Sequence, residues 1–361
     1  MIPAFLALVV GVTSAEICGR CHRDILQAWK TSTHATALEN LRFQDALDLA
    51  VEEFGAKVRA TCLGCHSPTV QYSGDADLVR KASWEGVTCD YCHSVKSVAF
   101  TAGVPRATVS FDGTKTGPLK DAASIAHGVA FSPVHASSLI CAPCHEYRNA
   151  AGLAVLTTYS EWRASSYAKR DTNCQTCHMS LTAAKVVDPR IKRTPDTAVN
   201  LHQMPGGHSV DQLNKAIATR LTTTRRGDSL EVTVEVTNRG AGHMVPTGSP
   251  LRRLHLEVKV ASSGGKSFQQ ERVYRHAVLD AQGKEIHREH QVFTQAARFG
   301  ADTRLKPEER RVEVFTFPVP QAQSANVRTQ FWYYYSPLAA GGPNKVTFLS
   351  AAQYSPAVAR R

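Results

Sequence analysis

The chain has 361 residues, 42 Lys and Arg against 31 Asp and Glu, a formal charge of +11 and ten cysteines. That length suits two domains, and the charge by itself would suit a nucleic-acid or anionic-surface partner. Beyond Val12 no apolar run reaches the about twenty residues needed to span a bilayer, which excludes a membrane-spanning helix there.

In chain order, Ile2 to Val12 is almost wholly apolar, and Thr13-Ser14-Ala15 supplies small residues for a signal peptidase. This predicts a secretory leader over 1–15, cleaved after Ala15, although no Lys or Arg precedes the apolar stretch and the true start codon stays open. Asp24 to Ala50 has helical periodicity, with Ile25, Leu26, Trp29, Leu38, Leu41 and Leu49 as its buried stripe. Ser94 to Lys120, rich in Gly, Thr, Ser and Pro, reads as loop or short strands. Thr158 to Tyr167 returns to helical spacing.

Through this region run five cysteine pairs: Cys18 and Cys21, Cys62 and Cys65, Cys89 and Cys92, Cys141 and Cys144, Cys174 and Cys177. Each second cysteine is followed at once by a histidine, His22, His66, His93, His145 or His178, and no cysteine is left over. Thiols three positions apart on a helical turn reach the two vinyl groups along one haem edge, and the next residue brings an imidazole to the iron. The pattern is that of c-type haem attachment. Zinc ribbons, redox dithiols and disulfide frameworks also use Cys-x-x-Cys, but none requires a histidine after every second cysteine. Five covalent haems c are therefore expected, packed so densely that they form the core of their domain. Their propionates offset roughly five positive charges, which removes the case for nucleic acid.

After about Ala218 the character changes. Leu230 to Val236, Leu254 to Val260 and Val312 to Phe317 alternate apolar and polar residues, and Val327 to Tyr335 is rich in β-formers. The fold class read from this is α+β: a haem-packed, mainly helical and irregular domain over 16–218, then an all-β, Ig-like sandwich over 219–361.

What each iron does depends on its sixth ligand: filled by a side chain it passes electrons, open it can react. His34, His135, His202, His208 and His243 are the distal candidates, with His127 in reserve. His255, His276, His287 and His290 lie among charged residues and read as solvated. Met179, Met204 and Met244 each sit beside a better histidine.

The segments Trp29-x-x-Ser32-x-His34-Ala35 and Gly86-Val87-Thr88-Cys89-Asp90-Tyr91-Cys92-His93 resemble the cytochrome c554-like multihaem family. This family is typified by the tetrahaem carrier of ammonia oxidisers and related in haem arrangement to hydroxylamine oxidoreductase and octahaem reductases. Tyr159 to Tyr167, Cys174 to Met179, His202 to His208 and the Gly242-to-Gly248 segment are similar to exported proteins of that group. A fifth motif and the β region depart from the tetrahaem carrier. The resemblance implies stacked and edge-to-edge haem pairs and bis-histidine ligation, with His34 and His135 as distal ligands and weaker support for His202, His208 and His243.

The expected function is electron transfer by a periplasmic or extracellular protein, with other cytochromes or quinol-linked donors as partners. The alternatives are an oxidoreductase acting on a small nitrogen or sulfur species at one five-coordinate haem, or a subunit that self-associates into an extracellular filament.

Overall fold

The computed structural model describes residues 11–191, 197–335 and 345–358. Most of the expected leader lies outside them. The chain divides into two compact units, one of 1–148 with 171–205, the other of 149–170 with 206–361. The sequence reading placed 149–170 and 206–218 with the haem domain, whereas their contacts group them with the β-rich part. Helical spacing reveals that a segment is buried, not which partner buries it.

The first unit is built from short helices. The stretch expected as one helix from Asp24 to Ala50 is two, Arg23–Lys30 and Leu41–Phe54. Asn40 caps the second by accepting from the Arg42 amide at 3.0 Å, a side-chain bond that favours a fresh helix start. His34 consequently lies in the turn between them rather than on a helix. Leu26, Trp29 and Leu38 are buried as expected, but Leu41, at the new helix start, is exposed. Ser94–Lys120 contains the short strands Val95–Thr101, Val104–Val109 and Thr114–Gly117.

The second unit holds two antiparallel sheets. One has the order Arg310–Phe317, Ser229–Asn238, Ile217–Arg226; the other runs Arg298–Asp302, Ser267–Leu279, Arg253–Ser262, Ala325–Tyr334, Lys345–Ser355. In Ser229–Asn238 the two-residue period puts Leu230, Val232, Val234 and Val236 on one fully buried face. They meet Leu254, Leu256, Phe315, Phe317 and Phe331 in a core drawn from both sheets. Each such side chain contributes about 1.5–3 kcal/mol by leaving water. Register decides which valines matter: Leu230 pairs with Phe317 and Val232 with Phe315, so Val312 and Val314 fall on the outer face and stay exposed.

The helical segment expected over Thr158–Tyr167 is two short helices, Thr158–Arg163 and Ser166–Lys169, restarted by Ser165, which caps the Tyr167 amide at 3.2 Å. Glu161 anchors it within this unit. Its carboxylate accepts from Arg304 (2.7 Å), Thr247 Oγ1 (2.6 Å) and the Met244 amide (3.2 Å). Among described residues no helix is long and apolar enough to cross a membrane.

Candidate haem-binding site

Each cysteine motif is wound on a helical turn. Cys18 ends the helix Ala15–Cys18, and the Cys21 and His22 amides both return to the Cys18 carbonyl, at 3.1 and 2.9 Å. The second motif closes Arg59–His66 and includes Cys62 and Cys65; the third fills Cys89–Cys92; the fourth runs from Cys141 into Ala142–His145. The fifth is the helix Cys174–His178, in which Cys174 takes the first position and Cys177 stands next to His178. Thr88 caps the third by accepting from the Tyr91 amide at 3.2 Å. Positions i and i+3 share a helix face, so both thiols of a motif, Cys174 and Cys177 for instance, point the same way. All ten cysteines, from Cys18 to Cys177, are partly buried, and none forms a disulfide.

The imidazoles are oriented by the backbone. Nδ1 of His22 lies 2.6 Å from the Val186 carbonyl, that of His66 3.1 Å from Ala37, that of His93 2.7 Å from Thr116 and that of His178 2.7 Å from Pro205. A carbonyl oxygen can only accept, so Nδ1 carries the proton and a neutral ring keeps its Nε2 lone pair for a metal. Burial favours that neutral state: it lowers the His66 and His202 pKa values and takes His93 down to about 4.

Three further histidines stand opposite motif histidines. Ring centroids are 6.3 Å apart for His22 and His127, 6.2 Å for His34 and His145, and 6.3 Å for His93 and His202. Two metal–nitrogen bonds of about 2 Å, each with roughly 1 Å more to the ring centre, place trans imidazole centroids about 6 Å apart. His127 and His202 also bond a carbonyl through Nδ1, at 2.9 Å to Gly128 and 2.7 Å to Asn200. The donor set therefore fits haem c, with thiols for the vinyl carbons and paired neutral imidazoles for iron.

The other candidates are placed differently. His135 stacks on His93 at 5.6 Å, but its Nε2 is held 2.8 Å from the Cys92 carbonyl and its Nδ1 is buried without a partner. His208 is exposed, in the β-rich unit. His243, in the same unit, shows the ligand-like bond, Nδ1 to the Met244 carbonyl at 2.8 Å. Its loop passes so close to the Trp162–Tyr167 segment that a Cβ on Gly242 would lie 2.9 Å from Tyr167 Cβ. His66 has a different ring neighbour: Phe43, stacked at 3.9 Å and 17°. Of the histidines read as solvated, only His287 is exposed. His290 is buried and His276 stacks on Phe299 at 3.9 Å.

Thiols of different motifs also meet. Cys18 lies beside Cys89, Cys65 beside Cys144 and Cys174 beside Cys141; in each pair the neighbouring thiol lowers the first thiol's pKa and raises the second's. Motif one thus adjoins three, two adjoins four and four adjoins five.

Helical attachment turns, carbonyl-oriented imidazoles and paired histidines are the arrangement that covalent c-type haem attachment calls for. Residues 17–94 match the family described as cytochrome c554 and c-prime. The fold of the chain is similar to that of a penta-heme cytochrome c552 from Thermochromatium tepidum, at 22% identity and a TM-score of 0.74, over 95% of this chain and 99% of that one. An ApaA protein from Bordetella pertussis matches 39% of this chain and 94% of its own length at 11% identity, with a TM-score of only 0.21. No curated protein matches significantly.

Proposed function

We propose that the protein is an exported pentahaem electron-transfer cytochrome. The three histidine pairs at 6.2–6.3 Å carry this reading. They support His127, His34 and His202 as the sixth ligands opposite His22, His145 and His93. Haem c supplies a one-electron iron couple, and a bis-histidine site holds it six-coordinate and at low potential. The β-rich unit is read as an Ig-like sandwich.

The thiol contacts support a connected order of sites: one beside three, two beside four, four beside five. His135 bonds the Cys92 carbonyl at 2.8 Å, and its own carbonyl accepts from Gln175 Nε2 at 3.3 Å, which joins three to five. Such a path accepts an electron from one redox protein and delivers it to another. The ferric holoprotein is expected to give an electron paramagnetic resonance spectrum dominated by low-spin signals, and a predominantly high-spin spectrum would overturn the proposal.

One observation favours a second reading for a single site. Apolar Phe43, rather than a second imidazole, packs on His66. If the second iron is five-coordinate it can bind a small nitrogen or sulfur species. Turnover of nitrite, hydroxylamine or tetrathionate would make the protein an oxidoreductase.

A further inference from the structure

The strand Thr114–Gly117 is stitched to the third cysteine motif at two consecutive residues. The Thr116 amide donates to the His93 carbonyl at 2.7 Å, and the Thr116 carbonyl accepts from His93 Nδ1 at 2.7 Å. One residue earlier, Lys115 Nζ pairs with Asp90 Oδ1 and reaches Ser94 Oγ at 3.3 Å. Asp90 stands between Cys89 and Cys92, and its side chain is wholly buried. Its other oxygen, Oδ2, accepts from the Thr13 amide at 2.6 Å; cleavage after Ala15 would remove that bond and leave the Lys115 pair.

No other motif has an acidic residue between its cysteines: the equivalents of Asp90 are Gly19, Leu63, Ala142 and Gln175. Burying a carboxylate and an ammonium costs desolvation that an apolar pair of similar volume would avoid, so packing alone does not account for the pair. Attachment of the strand does not require it either. Thr116 already makes both backbone bonds to His93, and its hydroxyl adds bonds to the His93 and Val95 carbonyls at 3.1 and 2.8 Å. What the pair supplies is charge. Away from water, a fixed charge three residues from a ligating imidazole acts on the iron far more strongly than an exposed one. Oxidation adds one positive charge at the iron, so a carboxylate favours the ferric state and an ammonium the ferrous. The neighbouring Lys96–Asp112 pair, its acid half-exposed, is screened by solvent.

We propose that Asp90 and Lys115 set the reduction potential of the third haem, Lys115 neutralising a carboxylate that would otherwise hold the His93 iron ferric. This rests on the electron-transfer reading above. Asp90→Asn leaves the Lys115 ammonium uncompensated and should raise that potential, by about tenfold in the reduction equilibrium or about 59 mV for one electron. Combining Asp90→Asn with Lys115→Met removes both charges, and the tie between strand and motif with them. The double variant should return the potential toward that of the wild type, although it has lost the same contact.

The test is a spectroelectrochemical titration of the holoprotein and these two variants, with the ferric spin state recorded for each. The third couple is the one altered by His202→Ala. A rise in Asp90→Asn that the double variant reverses is the expected result. An equal shift in both, or no rise in Asp90→Asn, would reduce the pair to a structural tie and overturn the proposal. Should Asp90→Asn fail to mature with its haems, Lys115→Met is expected to lower the potential and Lys115→Arg to keep it, and any other pattern overturns the proposal. A predominantly high-spin wild-type spectrum would overturn the electron-transfer reading itself, and this proposal with it.

Discussion

His135 directs Nε2 at the carbonyl oxygen of Cys92, 2.8 Å away, while His202 directs Nδ1 at that of Asn200, 2.7 Å away. Both rings lie near His93, yet the two bonds leave opposite nitrogens free. A carbonyl forces the proton onto the nitrogen it faces, so His202 keeps its Nε2 lone pair and His135 has spent that position. His202→Ala is expected to convert one low-spin ferric signal to high spin, and His135→Ala to leave the count of low-spin signals unchanged. Electron paramagnetic resonance of the two oxidised variants decides this directly.

Gly86 has φ +66°, and a Cβ there would lie 2.3 Å from the backbone oxygen of His34. The Val87 amide donates to that same oxygen at 2.9 Å. Gly86→Ala therefore meets both a left-handed backbone and a rigid neighbour, and should cost about 1–3 kcal/mol. The His34 turn should shift with it. Thermal melts should show the loss, with a perturbed spectrum of the haem opposite His34, while the conservative Val87→Ile leaves that spectrum unchanged.

Within the β-rich unit, Glu161 and Arg304 form a 2.7 Å ion pair with side chains 8% and 9% exposed. Arg304 also pairs with Asp302 at 2.8 Å, so removing Glu161 leaves that charge partly paired, and the loss is that of buried hydrogen bonds left unmade, about 1–3 kcal/mol. Glu161→Ala should fall in this range because Thr247 and the Met244 amide lose their acceptor as well. Glu161→Gln, which can still accept those bonds, should lose less. Denaturant titration of both variants gives the comparison.

His276 is held at a pKa of about 4, first by burial and then by the nearby Arg304 guanidinium. In the unfolded chain it titrates near 6.5. Between these values the unfolded state binds more protons, so stability falls as pH drops from about 6.5 to about 4 and levels off below. The gap corresponds to at most about 3 kcal/mol. His276→Phe, which keeps an aromatic ring on Phe299, should flatten the pH dependence of the β-rich unit's melting temperature across that window.

The residues most easily read from sequence were those whose chemistry is local. A motif such as Cys89-Asp90-Tyr91-Cys92-His93 occupies one helical turn, so its spacing alone implies two thiols on one face and an adjacent imidazole. Leu230 to Val236 announced a half-buried strand for the same reason, since its period is a property of consecutive residues. The Asp24–Ala50 periodicity was equally visible, but the cap at Asn40 split it and moved His34 into a turn. A cap of that kind competes with helix continuation, and hydrophobic period does not register the competition.

Pairing was the opposite case. His127 looked no better than a reserve because nothing around it in sequence marks a ligand; it faces His22 only because the loop at Ser124–Gly128 is folded back onto the first motif. His135 sits just before a cysteine pair and resembled a ligand, until the Cys92 carbonyl claimed its Nε2. Phe43 gave no sign that it would stack on His66. His276 and His290 lie among charged residues but turn inward, because a strand or helix face is chosen by packing and not by its immediate neighbours. The sequence by itself determined the cofactor chemistry, because thioether attachment needs only residues within one turn. Which imidazoles face each other, and which motifs adjoin, only the tertiary structure decided, because those distances are set by chain segments far apart in sequence.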